Sequence, residues 1–295
     1  MYSSSVDYYR ATSVADAVKA LQKNKGAKLL AGGHSLIPLM KLRSAEPSML
    51  VDIGRIKSLN GIKAGKKEVK IGALTTHATV AASADLKTAC PILPEAAVLI
   101  ADPQVRNRGT IGGSISHSDP AADYPTLMMA LDATFTVTGP KGVRDIEANK
   151  FFKDLFTTAL KRDEVLTTVT VPAYGNMAGM GSAYLKHRHP ASSYAVVGVA
   201  AMIGLMGGAV ARAVVVVGGI TANPMHAVAV ESALTGLQPS EANIAAAADQ
   251  MDIEATMGDA YASSEYRAHL AKVMAKRALV LAAQRLEANS KVYRP

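Results

Sequence analysis

Apolar and polar residues are spaced along the first 130 positions in a way that predicts both helices and strands. Between residues 14 and 21 apolar side chains recur at helical spacing, directly after Ser13, a residue type that commonly caps helices. Short apolar runs bounded by glycine or polar residues predict strands at 28–31, 49–53 and 69–73, and capping and periodicity predict helices at 76–82 and 91–100. Strands that alternate with helices are typical of an α/β architecture.

A glycine-rich stretch at 174–181 separates this half from one with a different pattern. The uncharged run 194–211 approaches the length of a membrane span, but glycines interrupt it and valine and alanine dominate it. We interpret it as two strands joined at 206–208 and reject a membrane span. Further strands are predicted at 135–138 and 165–171, and helices at 225–234, 244–251 and 265–287. We therefore expect an α/β domain at 1–175 and a smaller α+β domain at 176–295.

The last predicted helix carries an apolar stripe. Leu270, Val273, Met274, Arg277 and Leu281 lie near one another when the segment is drawn as a helix. We expect this stripe to face the sheet of the second domain.

Composition narrows the class of protein. The chain has 295 residues, 49% hydrophobic and 19% charged, as in a globular protein. Its net charge is +8, and the basic residues are scattered along the chain. Because the chain has no arginine-rich arm and no aromatic RNA-binding motif, a solvated basic surface is favoured over nucleic-acid binding. The single cysteine, Cys90, excludes an internal disulfide and a four-cysteine cluster made by this chain alone. Because the N-terminus lacks the apolar core of a signal peptide, a cytoplasmic protein is expected.

Two glycine pairs stand where a phosphate could be bound. The apolar run predicted as a strand at 28–31 leads into Gly32-Gly33, and a second pair, Gly112-Gly113, has a hydroxyl residue on each side. Backbone N–H groups at such turns can surround a diphosphate, each charge-assisted hydrogen bond contributing about 1.5–3 kcal/mol. Further hydroxyl donors could come from Ser35, Thr110 and Ser114. Asp123 suits a ribose hydroxyl, by analogy with the acidic residue of other dinucleotide sites.

Other chemistry finds little support in the sequence. The segment Gly33–Ile37 does not complete the Gly-x-Ser-x-Gly pattern of a hydrolase, and there is no Walker loop. The seven histidines are mostly dispersed, so no metal site is expected. Gly179-Met180-Gly181 lacks the last glycine and the preceding strand of a nicotinamide fingerprint.

Three motifs then identify a resemblance. AGGHSLIPLMKLR, RNRGTIGGSISHSDPAADYP and DEVLTTVTVP resemble, in order and spacing, the FAD-binding medium subunit of the carbon monoxide dehydrogenase and xanthine dehydrogenase (molybdenum hydroxylase) family. The opening DYYRATSVADAVKALQ is also similar to that family's N-terminus. The resemblance implies an N-terminal FAD domain of two α/β lobes, of the PCMH type, and a C-terminal α+β domain.

The resemblance also implies which residues hold FAD. The first pyrophosphate loop would comprise Leu30, Ala31, Gly32, Gly33, His34, Ser35 and Leu36, and the second Thr110, Ile111, Gly112, Gly113 and Ser114. Asp123 matches a carboxylate near the ribose, and Leu166 a backbone contact near the flavin ring. Lys186 matches a lysine near the ring, where a cation would stabilise the anionic reduced flavin. Ile100 replaces an aromatic residue of some relatives, while Tyr194 is either an aromatic at the flavin face or a core tyrosine that opens a strand.

The implied role is an electron-transfer subunit. The molybdenum cofactor and the [2Fe-2S] clusters would lie in partner chains, a large molybdopterin-binding subunit and a small iron–sulfur subunit, in a heterotrimer that could dimerise. FAD, bound noncovalently, would take electrons from the [2Fe-2S] partner and release them to an external acceptor. Two alternatives remain: a vanillyl-alcohol-oxidase-like oxidase with FAD attached through His34, and a nonenzymatic assembly scaffold.

Overall fold

Three parallel strands form the first lobe in a computed structural model, which describes residues 2–175 and 179–292. The elements of this lobe are β1 (Asp7–Arg10), α1 (Val14–Lys23), β2 (Ala27–Leu30), α2 (Leu36–Lys41) and β3 (Met49–Asp52). The strand order is β1-β3-β2, so the first glycine pair follows the strand at one edge. The Ser13 side chain accepts a hydrogen bond from the Asp16 N–H at 3.1 Å, which confirms the predicted cap of α1.

An antiparallel sheet organises the second lobe. After a short 3-10 turn at Lys57–Leu59, its strands are β4 (Ile62–Ala64), β5 (Glu68–Gly72), β6 (Thr134–Gly139), β7 (Gly142–Glu147), β8 (Phe152–Asp154), β9 (Thr157–Thr158) and β10 (Val165–Pro172). Five of them pair in the order β4-β5-β10-β6-β7, and β8 and β9 form a separate hairpin. Its helices are α3 (His77–Ala82), α4 (Ala84–Ala89), α5 (Ile92–Val98), α6 (Pro103–Arg108), α7 (Ile111–His117), α8 (Asp123–Ala130) and α9 (Ala148–Phe151). The mixture of helices and strands confirms the expected class, although this sheet is antiparallel.

The remaining elements form what we call the C-terminal domain. They are β11 (Met180–Arg188), β12 (Ala195–Met206), β13 (Ala209–Gly218), β14 (Met225–His226), α10 (Val228–Leu234), α11 (Glu241–Ala248) and α12 (Ser264–Val292). The turn predicted at 206–208 is confirmed as the β12–β13 hairpin. The predicted helix 225–234 is wrong at its start, because Met225 and His226 pair with β13 and the helix begins at Val228.

Burial on both faces explains the valine- and alanine-rich strands. On β12, Ala200 and Met202 pack into the core of the second lobe, whereas Val199, Ala201 and Ile203 pack into the core of the C-terminal domain. Alternate side chains of a strand point to opposite faces, so a strand covered on both sides has no polar face. The run that approached the length of a membrane span is thus the centre of a covered sheet. Among the helices of the described ranges, none is long and apolar enough to cross a bilayer.

The long final helix packs through a face that coincides only in part with the predicted stripe. Leu270 and Met274 are buried as expected, but Arg277 is exposed. The most deeply buried positions of this helix are mainly alanines, namely Ala271, Ala275, Ala278 and Ala282. Small side chains let a helix lie close to a sheet. The rotation of α12 about its axis therefore depends on the buried alanines as well as on the larger apolar residues.

Side-chain contacts join the two halves of the chain. Arg285 on α12 forms a bidentate ion pair with Glu95 on α5, at 2.8 and 2.9 Å, and also donates to the Ser182 carbonyl. The predicted linker at 174–181 includes residues 176–178, which lie outside the described residues. The boundary at 175/176 therefore stays a prediction.

Candidate cofactor site

The first glycine loop presents backbone donors without acceptors. Strand β2 ends at Leu30, and Gly33 takes a φ of +77°, a conformation that side-chain-bearing residues rarely adopt. In the part of the chain that the structure describes, the N–H groups of Gly32, Gly33, His34 and Ser35 have no hydrogen-bond acceptor. Four neighbouring N–H groups in this state suit an anion such as a phosphate.

The second glycine loop differs from the prediction. Thr110 caps α7 by accepting from the Gly113 N–H at 3.1 Å, and the N–H groups of Ile111 and Gly112 donate to the Thr75 and Ala73 carbonyls at 3.0 and 2.9 Å. The expectation that this loop offers free backbone donors at these three positions is therefore wrong. Of its predicted residues, Ser114 is partly exposed.

The two loops touch each other. A Cβ atom placed on Gly32 would overlap the Arg108 carbonyl oxygen, just before the second loop. Only a glycine permits this approach, because a side chain would collide with the backbone of the other lobe. The close contact brings the free N–H groups of the first loop next to Arg108 and the start of α7.

Asp123 and Lys186 form a buried ion pair between the second lobe and the C-terminal domain. Lys186 Nζ lies 2.8 Å from Asp123 Oδ1, and the side chains are 1% and 5% exposed. The Tyr184 hydroxyl also donates to Asp123 Oδ1, at 2.7 Å. Burial raises the pKa of Asp123, and Lys186 and Tyr184 act against it. The carboxylate expected at a ribose and the lysine expected at a flavin ring are therefore each other's partners.

Tyr194 reaches the first loop from the C-terminal domain. It precedes β12 and is 41% exposed, so it is not a core residue. Burial of its ring and the Asp119 carboxylate raise the pKa of its hydroxyl, and the Ser35 side chain acts in the opposite direction. The exposure of Tyr194 argues against a core tyrosine, and its place at the flavin face stays a prediction.

The other predicted residues occupy varied positions. His34 is exposed, and its Nδ1 lies 3.1 Å from the Gly32 carbonyl oxygen, as expected of a loop histidine that bonds backbone. Ile100 is partly buried, and its carbonyl accepts from Arg106 at 2.8 Å. Leu166 is buried in the core of the second lobe, next to a break in the β6–β10 register, so only its backbone could contact a ligand.

His77 is a residue near the site that no sequence pattern predicted. It begins α3, lies against Gly109 and is 5% exposed. Its Nδ1 atom and the hydroxyl of neighbouring Tyr124 have no hydrogen-bond partner among the described residues. Burial, with His34 and Arg106 nearby, lowers the pKa of His77 to about 4. No local motif announces this position, because its environment is assembled from separate segments.

We expect His77 to make stability depend on pH. Its folded-state pKa lies below the unfolded value, so stability is lost as pH falls from about 6.5 toward 4; at pH 5 the loss is about 2 kcal/mol. Replacing His77 with phenylalanine should flatten this part of the profile in urea unfolding measured between pH 4 and 8. Exposed His269→Gln is the control. A variant profile as steep as that of the wild type would contradict the assignment.

The donor set fits a flavin dinucleotide. Free N–H groups and a hydroxyl at Ser35 suit a diphosphate, and the Tyr194 hydroxyl lies beside the Ser35 side chain of the same loop. A family profile described as the FAD binding domain in molybdopterin dehydrogenase matches residues 4–174, and one described as the CO dehydrogenase flavoprotein C-terminal domain matches residues 182–282. The chain therefore belongs to the family of FAD-binding medium subunits of carbon monoxide dehydrogenase and xanthine dehydrogenase.

Named relatives match over nearly the whole chain. The carbon monoxide dehydrogenase medium chain of Hydrogenophaga pseudoflava is 39% identical over 275 residues, which cover 92% of this chain and 95% of the relative. The glyceraldehyde dehydrogenase medium chain of Sulfolobus acidocaldarius is 36% identical over 279 residues, covering 94% and 98%. A solved structure of the Hydrogenophaga pseudoflava carbon monoxide dehydrogenase superposes with a TM-score of 0.92 at 40% identity, covering 97% of this chain and 99% of that chain.

Proposed function

We propose that the chain binds FAD noncovalently at the first glycine loop and serves as the electron-transfer subunit of a heteromeric molybdenum hydroxylase. Electrons would come from a [2Fe-2S] partner subunit and leave to an external acceptor. The observation that carries the proposal is the set of four unpaired N–H groups at 32–35, placed beside Tyr194 and Arg108 within the described part of the chain. When bound, FAD supplies the capacity to accept and release electrons.

Each residue of the site has a role that follows from its surroundings. The loop N–H groups bind the diphosphate, and Tyr194 covers the loop from the other domain. Asp123 partly neutralises the charge of Lys186, so the lysine can stabilise negative charge on a ligand only with the part that remains. The two residues therefore set the local electrostatic potential together. The ion pair also links β11 of the C-terminal domain to α8 of the second lobe.

We propose that the substrate is selected in another chain. Relatives named for carbon monoxide and for glyceraldehyde resemble this chain about equally, at 39% and 36% identity. If this subunit selected the substrate, relatives that act on different substrates should differ in how closely they resemble it. The proposed partners are a large molybdopterin-binding subunit and a small iron–sulfur subunit, which copurification would test.

The mode of FAD attachment can be tested directly. We expect visible flavin absorption in the purified chain, or after addition of FAD, to move to the supernatant on acid precipitation. His34→Ala should keep most of the flavin, because the His34 ring bonds its own loop. Flavin retained in the pellet of the wild type and lost in His34→Ala would instead indicate covalent attachment. Absence of flavin from the chain, alone and with coexpressed partners, would overturn the proposed function.

A further inference from the structure

A cavity with three arginines opens at the carboxyl ends of β1, β2 and β3. It has a volume of about 260 Å³, and its lining includes Arg10, Leu30, Ala31, Asp52, Arg55 and Arg108. Arg10 and Asp52 are the last residues of β1 and β3, and Arg108 comes from the end of α6 in the second lobe. The cavity thus collects positive charge from both lobes at one edge of the parallel sheet.

The charges in this cavity are unbalanced. Asp52 is its one acidic residue in the described part of the chain, and both of its carboxylate oxygens are already engaged, Oδ2 by the Tyr8 hydroxyl and Oδ1 by the Gly54 N–H. Within the described ranges, Arg55 and Arg108 have no acidic partner and donate no side-chain hydrogen bond to the protein. Guanidinium groups stay charged at all relevant pH values, so the cavity keeps an excess of positive charge.

The position of the cavity connects it with the first glycine loop. Ligands of open α/β sheets bind outside the carboxyl ends of parallel strands. Leu30 and Ala31 line the cavity and lead directly into the unpaired N–H groups of Gly32 and Gly33. Arg108 also lines the cavity, and its carbonyl oxygen contacts Gly32. The arginine-lined cavity therefore adjoins the free backbone donors of the first loop.

We propose that Arg10, Arg55 and Arg108 form a phosphate subsite at this sheet edge. Planar guanidinium groups match phosphate oxygens in pairs, and three arginines from two lobes line the same cavity. The phosphate belongs either to the adenosine diphosphate half of FAD, which rests on the proposed function, or to a separate phosphate ligand. In the first case the arginines also make the chain prefer FAD to riboflavin.

The test compares single charge removals in the full-length chain. Arg55→Gln and Arg108→Gln are matched with Arg277→Gln, which removes the same charge from an exposed position on α12. Circular dichroism establishes that all three fold. Affinities for FAD, riboflavin and inorganic pyrophosphate are measured by equilibrium dialysis at low and high salt, with pyrophosphate also tested on FAD-loaded protein.

We expect Arg55→Gln and Arg108→Gln to weaken FAD binding about five- to tenfold at low salt and less at high salt, with riboflavin binding and Arg277→Gln unchanged. That result places the phosphates of FAD at the arginines. Unchanged FAD affinity with loss of pyrophosphate binding to FAD-loaded protein supports a separate phosphate ligand. Unchanged binding of both overturns the subsite. A wild type that binds pyrophosphate but no FAD would refute the proposed function while leaving the subsite standing.

Discussion

Replacing Gly33 with valine should weaken FAD binding by about 100-fold or more. Gly33 has a φ of +77°, and a Cβ atom would lie 3.1 Å from Ile37 and 3.2 Å from Leu30. A β-branched residue disfavours this backbone conformation, so the loop should rearrange and turn its N–H groups away from a common point. Loss of two charge-assisted hydrogen bonds, about 1.5–3 kcal/mol each, corresponds to at least that loss of affinity.

The control for this substitution is Gly142→Val. Gly142 also has a positive φ, +104°, and a Cβ atom added to it in the β6–β7 hairpin would meet nothing within 4 Å among the described residues. Valine at position 142 should strain the backbone to a comparable degree, but at a place away from the first loop. The FAD affinity measured by fluorescence titration should therefore stay near the wild-type value. Equal FAD affinities for Gly33→Val and wild type would show that the first loop does not hold the diphosphate.

Replacing Lys186 with methionine should destabilise the chain by about 3–5 kcal/mol near neutral pH, because it leaves Asp123 buried without its cation. Without Lys186 the pKa of Asp123 rises further, since burial is then opposed only by hydrogen bonds from Tyr184 and the backbone. A carboxyl group with a raised folded-state pKa is tolerated at low pH, where it is protonated, and becomes costly as pH rises through that pKa. Urea unfolding should therefore show a larger deficit at pH 8 than at pH 5.

The matched control is the double substitution Lys186→Met with Asp123→Asn. It removes both charges and should regain part of the lost stability, with little dependence on pH. A deficit that is the same at all pH values and remains in the double variant would mean that lost packing, and not an unpaired carboxylate, causes the effect.

The same variant tests the assigned role of Lys186 at the flavin. The Lys186→Met substitution should lower the flavin reduction potential, and the shift should shrink toward low pH, where protonated Asp123 no longer adds negative charge. A spectroelectrochemical titration at several pH values measures this. A potential equal to that of the wild type throughout would remove the assigned role and leave the stability prediction intact.

Local sequence patterns determined several features of this protein. The Ser13 cap, the strand that ends at Leu30 and the hairpin turn at 206–208 each depend on residues within a few positions of one another. Spacing and capping act over such short distances, so they can be read from the chain. The turn of the first glycine loop belongs to the same group, because it follows directly after a strand and has glycine at the positive φ of position 33.

The tertiary structure decided how these pieces form a site. The second loop gives its N–H groups to Ala73 and Thr75, an outcome that depends on how two distant segments meet. Asp123 pairs with Lys186, 63 residues further along the chain, and α12 buries a row of alanines together with only part of the predicted apolar stripe. Sequence alone determined the family, the α/β and α+β classes and the place of the first glycine turn. Which donors remain free, which charges neutralise one another and which face is buried depend on close packing between remote segments, and short-range spacing carries no record of that packing.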